Sequence, residues 1–289
     1  MMDSQQDRAG QHTGGPLSPA DERALSEAVR RLEHTSLAAR LTQVLGSKIE
    51  AAGSYFPEKA RQAAAVATDL ALKAAMRAAI KSLGNKRGPA RVTMHKAMAT
   101  VTGAAGGALG FAALPAELPV SATLILRAIA DIARAEGEDL TDPETLLACM
   151  EVFALGGPRP EDDYLDSSYF AVRAVLAKSI SEAAGYLAHF SAAKETAPAL
   201  VKFLSDIAAR FGVAVSQKAA AQAIPVLGAL GGAGINYAFI EHYQSLAIGH
   251  FTVRRLERKY DKVTVQQEYA RIENVWRTFH PNSSTVEQV

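Results

Sequence analysis

Apolar residues recur every three or four positions along most of the chain, and no useful stretch alternates with the period of two that a strand requires. Ser18-Pro19-Ala20-Asp21 starts the first helix, with serine as cap, proline at the first helical position and acid in the first turn. Leu25, Val29, Leu32, Leu37, Leu41 and Leu45 carry its apolar side to about Leu45. A second helix runs from Pro57-Glu58 to about Leu83, ahead of the Gly84-Asn85 stop. Amphipathic pattern resumes after Pro119 and ends at Gly137, and Thr141-Asp142-Pro143-Glu144 opens a helix through Leu155. Further helices are expected from Ser167 to Phe190 and from Ala199 to Phe211. A long one runs through His242, His250 and Arg254 to Tyr260, and a last one carries Tyr269, Ile272, Val275 and Trp276. The expectation is an all-α, multi-helix single domain over residues 18–280, with a disordered tail at 1–17 and a C-terminal tail at 281–289.

Two segments depart from the amphipathic pattern. Ala97 to Ala116 and Ala219 to Ile240 contain no charged residue. As helix, 20 residues span about 30 Å, roughly the hydrocarbon thickness of a bilayer. Their composition pulls against permanent spanning, because alanine and glycine gain little on transfer to lipid compared with Leu, Ile or Phe. Pro115, Pro225 and Asn236 interrupt the runs as well. The glycines fall at one-turn spacing: Gly103 with Gly107, Gly106 with Gly110, and Gly228 with Gly232, beside Gly231. A helix interior avoids glycine at about 1 kcal/mol against alanine, so such repetition points to a smooth face for close backbone approach. Three outcomes compete: helices packed face to face in a soluble core, a hairpin that enters a bilayer, and a phosphate-cradling loop. Against the last, no Lys-Ser/Thr follows the glycines and neither run fits a dinucleotide fingerprint.

Composition sharpens this. Alanine supplies about a fifth of the chain, aromatics only 7%, and the formal net charge is +1. That balance favours helices and argues against a nucleic-acid binder, which needs a concentrated basic surface. The single cysteine excludes an internal disulfide and a multi-cysteine zinc site. No apolar leader is read in the first seventeen residues, so a cytoplasmic location is expected. Lys73, Arg77 and Lys81 form a basic stripe that reads either as a solvated helix face or, with Lys86 and Arg87, as a contact for anionic lipid.

Catalytic chemistry is sparse. There is no Gly-x-Ser-x-Gly elbow and no pair of histidines at zinc-binding spacing, and Cys149 lies in an apolar helical phase. Asp162, Asp163 and Asp166 form an acidic loop without the spacing of an EF-hand. No metal site and no cofactor is expected. Polar groups do stand in or beside the apolar segments: Glu117, Arg127, Asp131, Glu151, Asn236, His250 and Arg254. Charges so placed must pair or reach water. They read as an ion-pair network fixing helix register, as a polar active site, or as a latch; Arg127 and Asp131, four apart, are expected to pair.

The blocks GAAGGALGFAALPAELPVSATLILRAIADIARAEGEDL (Gly103 to Leu140), TLLACMEVFALGG (Thr145 to Gly157) and RFGVAVSQKAAAQAIPVLGALGGAGINYAFIEHYQSLAIGHFTVRRLERKYD (Arg210 to Asp261) resemble the EcsC family of bacterial proteins. The resemblance covers about residues 25–270. It marks Glu117, Pro119, Arg127, Asp131, Glu151, Asn236, His250 and Arg254 as characteristic polar positions. It also implies membrane-linked physiology, since the family takes its name from a gene neighbourhood with an ABC transporter. The expected function is therefore membrane association, with an anionic membrane surface or a membrane protein such as a transporter as partner. The alternative is a hydrolase- or peptidase-like enzyme using the Glu/Arg/Asp/His cluster.

Overall fold

The computed structural model describes residues 15–45, 58–82, 113–157, 169–189, 197–222 and 228–279. Among them the chain is all-α, with nine helices and no strand: α1 (Pro19–Glu33), α2 (Leu37–Leu45), α3 (Glu58–Ser82), α4 (Leu114–Ala135), α5 (Pro143–Leu155), α6 (Tyr169–His189), α7 (Pro198–Gln222), α8 (Gly228–Lys259) and α9 (Lys262–Phe279). They fall into two compact units, one built from residues 35–248 and the other from residues up to 34 and from 249 on.

In the larger unit α3 packs along α4 and also against α7. The core helix is α5, which contacts α4, α6 and α7 and has every residue from Thr145 to Ala154 buried. A helix apolar all round is the pattern of one enclosed on every side. Its start is set locally: Asp142 caps it by accepting from the Glu144 amide at 3.0 Å, with Pro143 in the first turn. The preceding helix ends at Gly137, whose φ of 83° suits glycine. Glu138 then accepts from the Thr145 hydroxyl at 3.1 Å, joining the end of α4 to α5.

In the smaller unit α1 packs on α9, and Gly249 of α8 lets α1 come close. A Cβ at Gly249 would lie 2.8 Å from Leu32 Cγ and 3.2 Å from the Ala28 carbonyl oxygen. Asp261 turns the chain from α8 into α9 at a φ of 124°. Its carboxylate caps α9, accepting from the Thr264 amide at 2.8 Å and the Thr264 hydroxyl at 2.7 Å.

Three sequence expectations change. The first helix, read as continuous from Ser18 to about Leu45, is broken at His34–Ser36 into α1 and α2. Leu32 and Leu37 stand five residues apart, a step that carries the apolar side about 140° round a helix, so the leucine phase itself shifts at the break. The helix expected to stop near Phe211 continues to Gln222, taking in the first residues of the second charge-free run. Finally, Asp131 is engaged by Arg134 at 3.2 Å, while Arg127 is exposed.

Candidate functional site

The larger unit encloses a buried charged cluster. Lys218 sits near the end of α7, wholly buried, and its Nζ donates to Glu117 Oε1 at 2.7 Å. Gln222, one turn further along α7, donates through Nε2 to Glu117 Oε2 at 3.0 Å. Both carboxylate oxygens of Glu117 are thus occupied. The ammonium of Lys218 also lies 5.0 Å from the centre of the Phe239 ring on α8, a cation–π distance. Burial pushes the Lys218 pKa down, and the charge and hydrogen bond of Glu117 oppose that shift. Glu117 itself lies four residues into α4, just beyond Pro115.

Phe239 leads into an aromatic cluster. Its ring centre is 5.2 Å from that of Tyr243, which in turn lies 5.5 Å from Phe153 and 5.8 Å from Phe211. The Tyr243 hydroxyl is buried and makes no hydrogen bond among the described residues, and burial lifts its pKa above the usual phenol range. It is held against Gly156, where a Cβ would stand 2.6 Å from Tyr243 Oη. Beside it, His242 is buried and neutral, its pKa lowered to about 3 first by desolvation and then by the Arg40 charge, with a backbone contact to Gly156 opposing. Arg40 in turn pairs with Glu241 at 3.1 Å.

The polar positions singled out from the sequence divide. Glu117, Glu151 and Asn236 are buried in the larger unit, while His250 and Arg254 belong to the smaller one. There His250 is buried with its ring edge-on to Phe251 at 4.8 Å. Glu117 is spent on Lys218 and Gln222 and lies 7% exposed, so it does not offer a carboxylate to solvent-borne substrate. Nothing in the sequence marks Lys218 and Gln222: a lone lysine in SQKAAAQ reads as a solvated helix residue, and the partner of Lys218 is 101 residues away.

Among the glycines, Gly103, Gly106, Gly107 and Gly110 lie outside the described residues, as do Lys86, Arg87, Asp162, Asp163 and Asp166. Gly228, Gly231 and Gly232 form the opening of α8. Within that run Gly234 meets a neighbour, since a Cβ there would stand 2.7 Å from Val44 Cγ1 of α2. No group of three or more metal-ligating side chains occurs among the described residues.

The surface of the larger unit has one feature of a different kind. Along α3, Val66, Leu70, Lys73, Arg77 and Lys81 are all exposed, Val66 at 54% and Leu70 at 40%. At 100° per residue these five positions fall within roughly an 80° arc, so they form one ridge. Asp69 at its edge pairs with Lys73 at 2.9 Å, a solvent-exposed i, i+4 contact. The opposite face, including Ala64, Ala67, Ala71, Leu72, Ala75, Met76 and Ala79, is buried. No described helix is long and apolar enough to cross a membrane.

The helical architecture of the described residues is that of an all-α protein, with a buried ion pair inside its larger unit. The model of the EcsC protein family matches residues 20–256, and the chain belongs to that family. No curated protein and no solved structure matches it.

Proposed function

We propose that this EcsC-family protein binds peripherally to an anionic membrane surface, on the cytoplasmic face, in support of a transport or secretion system. The observation that carries the reading is the α3 ridge, where exposed Val66 and Leu70 continue in line into exposed Lys73, Arg77 and Lys81. What sets Val66 and Leu70 apart from other exposed apolar side chains, such as Val175 and Val201, is that they stand in line with three cations on one helix face. That order suits a lipid interface, where apolar side chains reach below the headgroups while lysine and arginine remain at their level. Each basic side chain near an anionic surface contributes about 1 kcal/mol, so three of them with two apolar contacts suit reversible binding. The Lys73–Asp69 pair is exposed and worth only a few tenths of a kcal/mol, about the value of such helix pairs, so a lipid phosphate can displace it.

Vesicle flotation of the full chain tests this. Binding is expected to phosphatidylglycerol-containing vesicles at low salt, with release as salt rises and screening shortens the reach of the surface charge. Equal recovery with zwitterionic vesicles, or no recovery with either, refutes it.

A further inference from the structure

We propose that Glu117 and Lys218 form a charge latch that holds the start of α4 to the end of α7, and that parting of this pair opens the larger unit. Three observations meet at the pair. Its members are buried, at 7% and 0% exposure, and in direct contact at 2.7 Å. Among the described residues, the other side chains that meet the pair carry no charge: Gln222 is neutral, and Phe239 offers only a ring face. Each partner also borders a charge-free run in the sequence, since Glu117 follows Ala116 directly and Lys218 precedes Ala219 directly.

Such a pair behaves differently from an apolar contact at the same place. Burying two charges gives up their hydration, and their attraction returns that only while they touch. If α4 and α7 separate, both charges regain water, so the open arrangement is favoured relative to that of a protein with an apolar pair here. Removing one partner leaves the other buried without its counter-charge and drives opening. Replacing both with apolar side chains of similar size removes the reward for opening and keeps the unit shut. That the opened form is the one favoured at the lipid surface rests on the membrane reading above; the latch itself does not.

The protein carries its own reporter. Cys149 is its single cysteine, 2% exposed on α5, the helix that packs on both α4 and α7. Labelling of Cys149 by a thiol reagent in the full chain therefore follows opening of this unit. Lys218→Met is expected to label at least about tenfold faster than the native chain, the scale expected when a buried charge loses its partner. Glu117→Leu/Lys218→Met is expected to label more slowly than the native chain. Should Lys218→Met not fold, the double variant against the native chain still decides. A double variant that labels as fast as the native chain or faster overturns the latch, as does a folded Lys218→Met that labels at the native rate. With phosphatidylglycerol vesicles the native chain is expected to label faster than without, and the double variant is not. If the two proteins differ without lipid but vesicles change neither, the latch stands and its link to lipid falls.

Discussion

Lys218 Nζ and Glu117 Oε1 lie 2.7 Å apart across 101 residues of sequence, joining α7 to α4 in the interior of the larger unit. Tight geometry of this kind is worth little against a well-packed apolar pair, yet breaking it from one side is costly because a bare charge stays behind. Sliding of α4 relative to α7 would part the two charges inside the unit, so the pair opposes other alignments of these helices.

In thermal or urea unfolding, Lys218→Met is expected to lose about 3–5 kcal/mol, the usual cost of orphaning a buried charge. Glu117→Leu/Lys218→Met should recover the whole of that loss and exceed native stability, because the apolar pair carries no cost of burying charge. Equal stability of the single variant and the native chain would show that the pair carries no weight.

Tyr243 and Gly156 make a second testable contact. The Tyr243 hydroxyl is buried with no hydrogen bond among the described residues, so Tyr243→Phe is expected to be neutral or to gain about 1 kcal/mol. Gly156→Ala sets a methyl group 2.6 Å from that hydroxyl and 2.7 Å from the ring edge, and should destabilise by about 1–3 kcal/mol. The double variant should recover only part of this, because the ring stays when the hydroxyl goes. Full additivity of the two substitutions in denaturant titrations would contradict the contact.

Acid affects the two units through different groups. In the larger one His242 has its pKa lowered from 6.5 to about 3, so between those values the unfolded chain takes a proton that the folded chain refuses. Stability attributable to His242 therefore falls as pH drops through that window, by up to about 1.4 kcal/mol per unit. A His242→Gln variant should show a shallower decline between pH 6.5 and 4 than the native chain. Parallel curves would mean that His242 protonates freely when folded.

In the smaller unit Asp21 accepts from Lys259 at 2.7 Å, Ser18 at 2.7 Å, Tyr260 at 2.8 Å and Arg255 at 3.4 Å. These contacts, led by Lys259, hold its carboxyl well below the usual carboxylate range despite burial. A depressed carboxylate contributes stability above its unfolded pKa and loses it as pH falls towards the folded one. Asp21→Asn is thus expected to cost about 1–3 kcal/mol at pH 7, and the gap to the native chain should narrow below about pH 4, near the unfolded value. A gap that stays constant down to pH 2 would assign the loss to packing.

What the sequence reveals follows from how local each cause is. The cap and proline that start α5 lie within two residues of each other, so Asp142-Pro143 announces the helix that the structure contains. Ser18 caps α1 by accepting from the Asp21 amide, as its sequence motif indicates. The break at His34–Ser36 shows in the sequence only as the five-residue step from Leu32 to Leu37, where an unbroken apolar side takes three or four. Glu117 attracts notice by standing alone after an apolar run, whereas Lys218 attracts none, because only the fold shows that its ammonium has no water to reach. The same holds for Val66 and Leu70: their helix is legible, but their exposure depends on which face α4 and α7 cover. Pattern identifies elements, and the pairing of distant elements decides which polar groups are buried.

The α3 ridge decides the account most directly. Flotation of the native chain with phosphatidylglycerol vesicles at low salt is compared with that of Lys73→Glu/Arg77→Glu/Lys81→Glu, a variant whose changes lie on the exposed face and should leave helicity and melting close to native. Losing three favourable contacts of about 1 kcal/mol each corresponds to roughly a hundredfold weaker partitioning, and charge reversal adds to it. The account predicts that the native chain floats and the folded variant stays at the bottom of the gradient. Flotation of the variant equal to that of the native chain would contradict it.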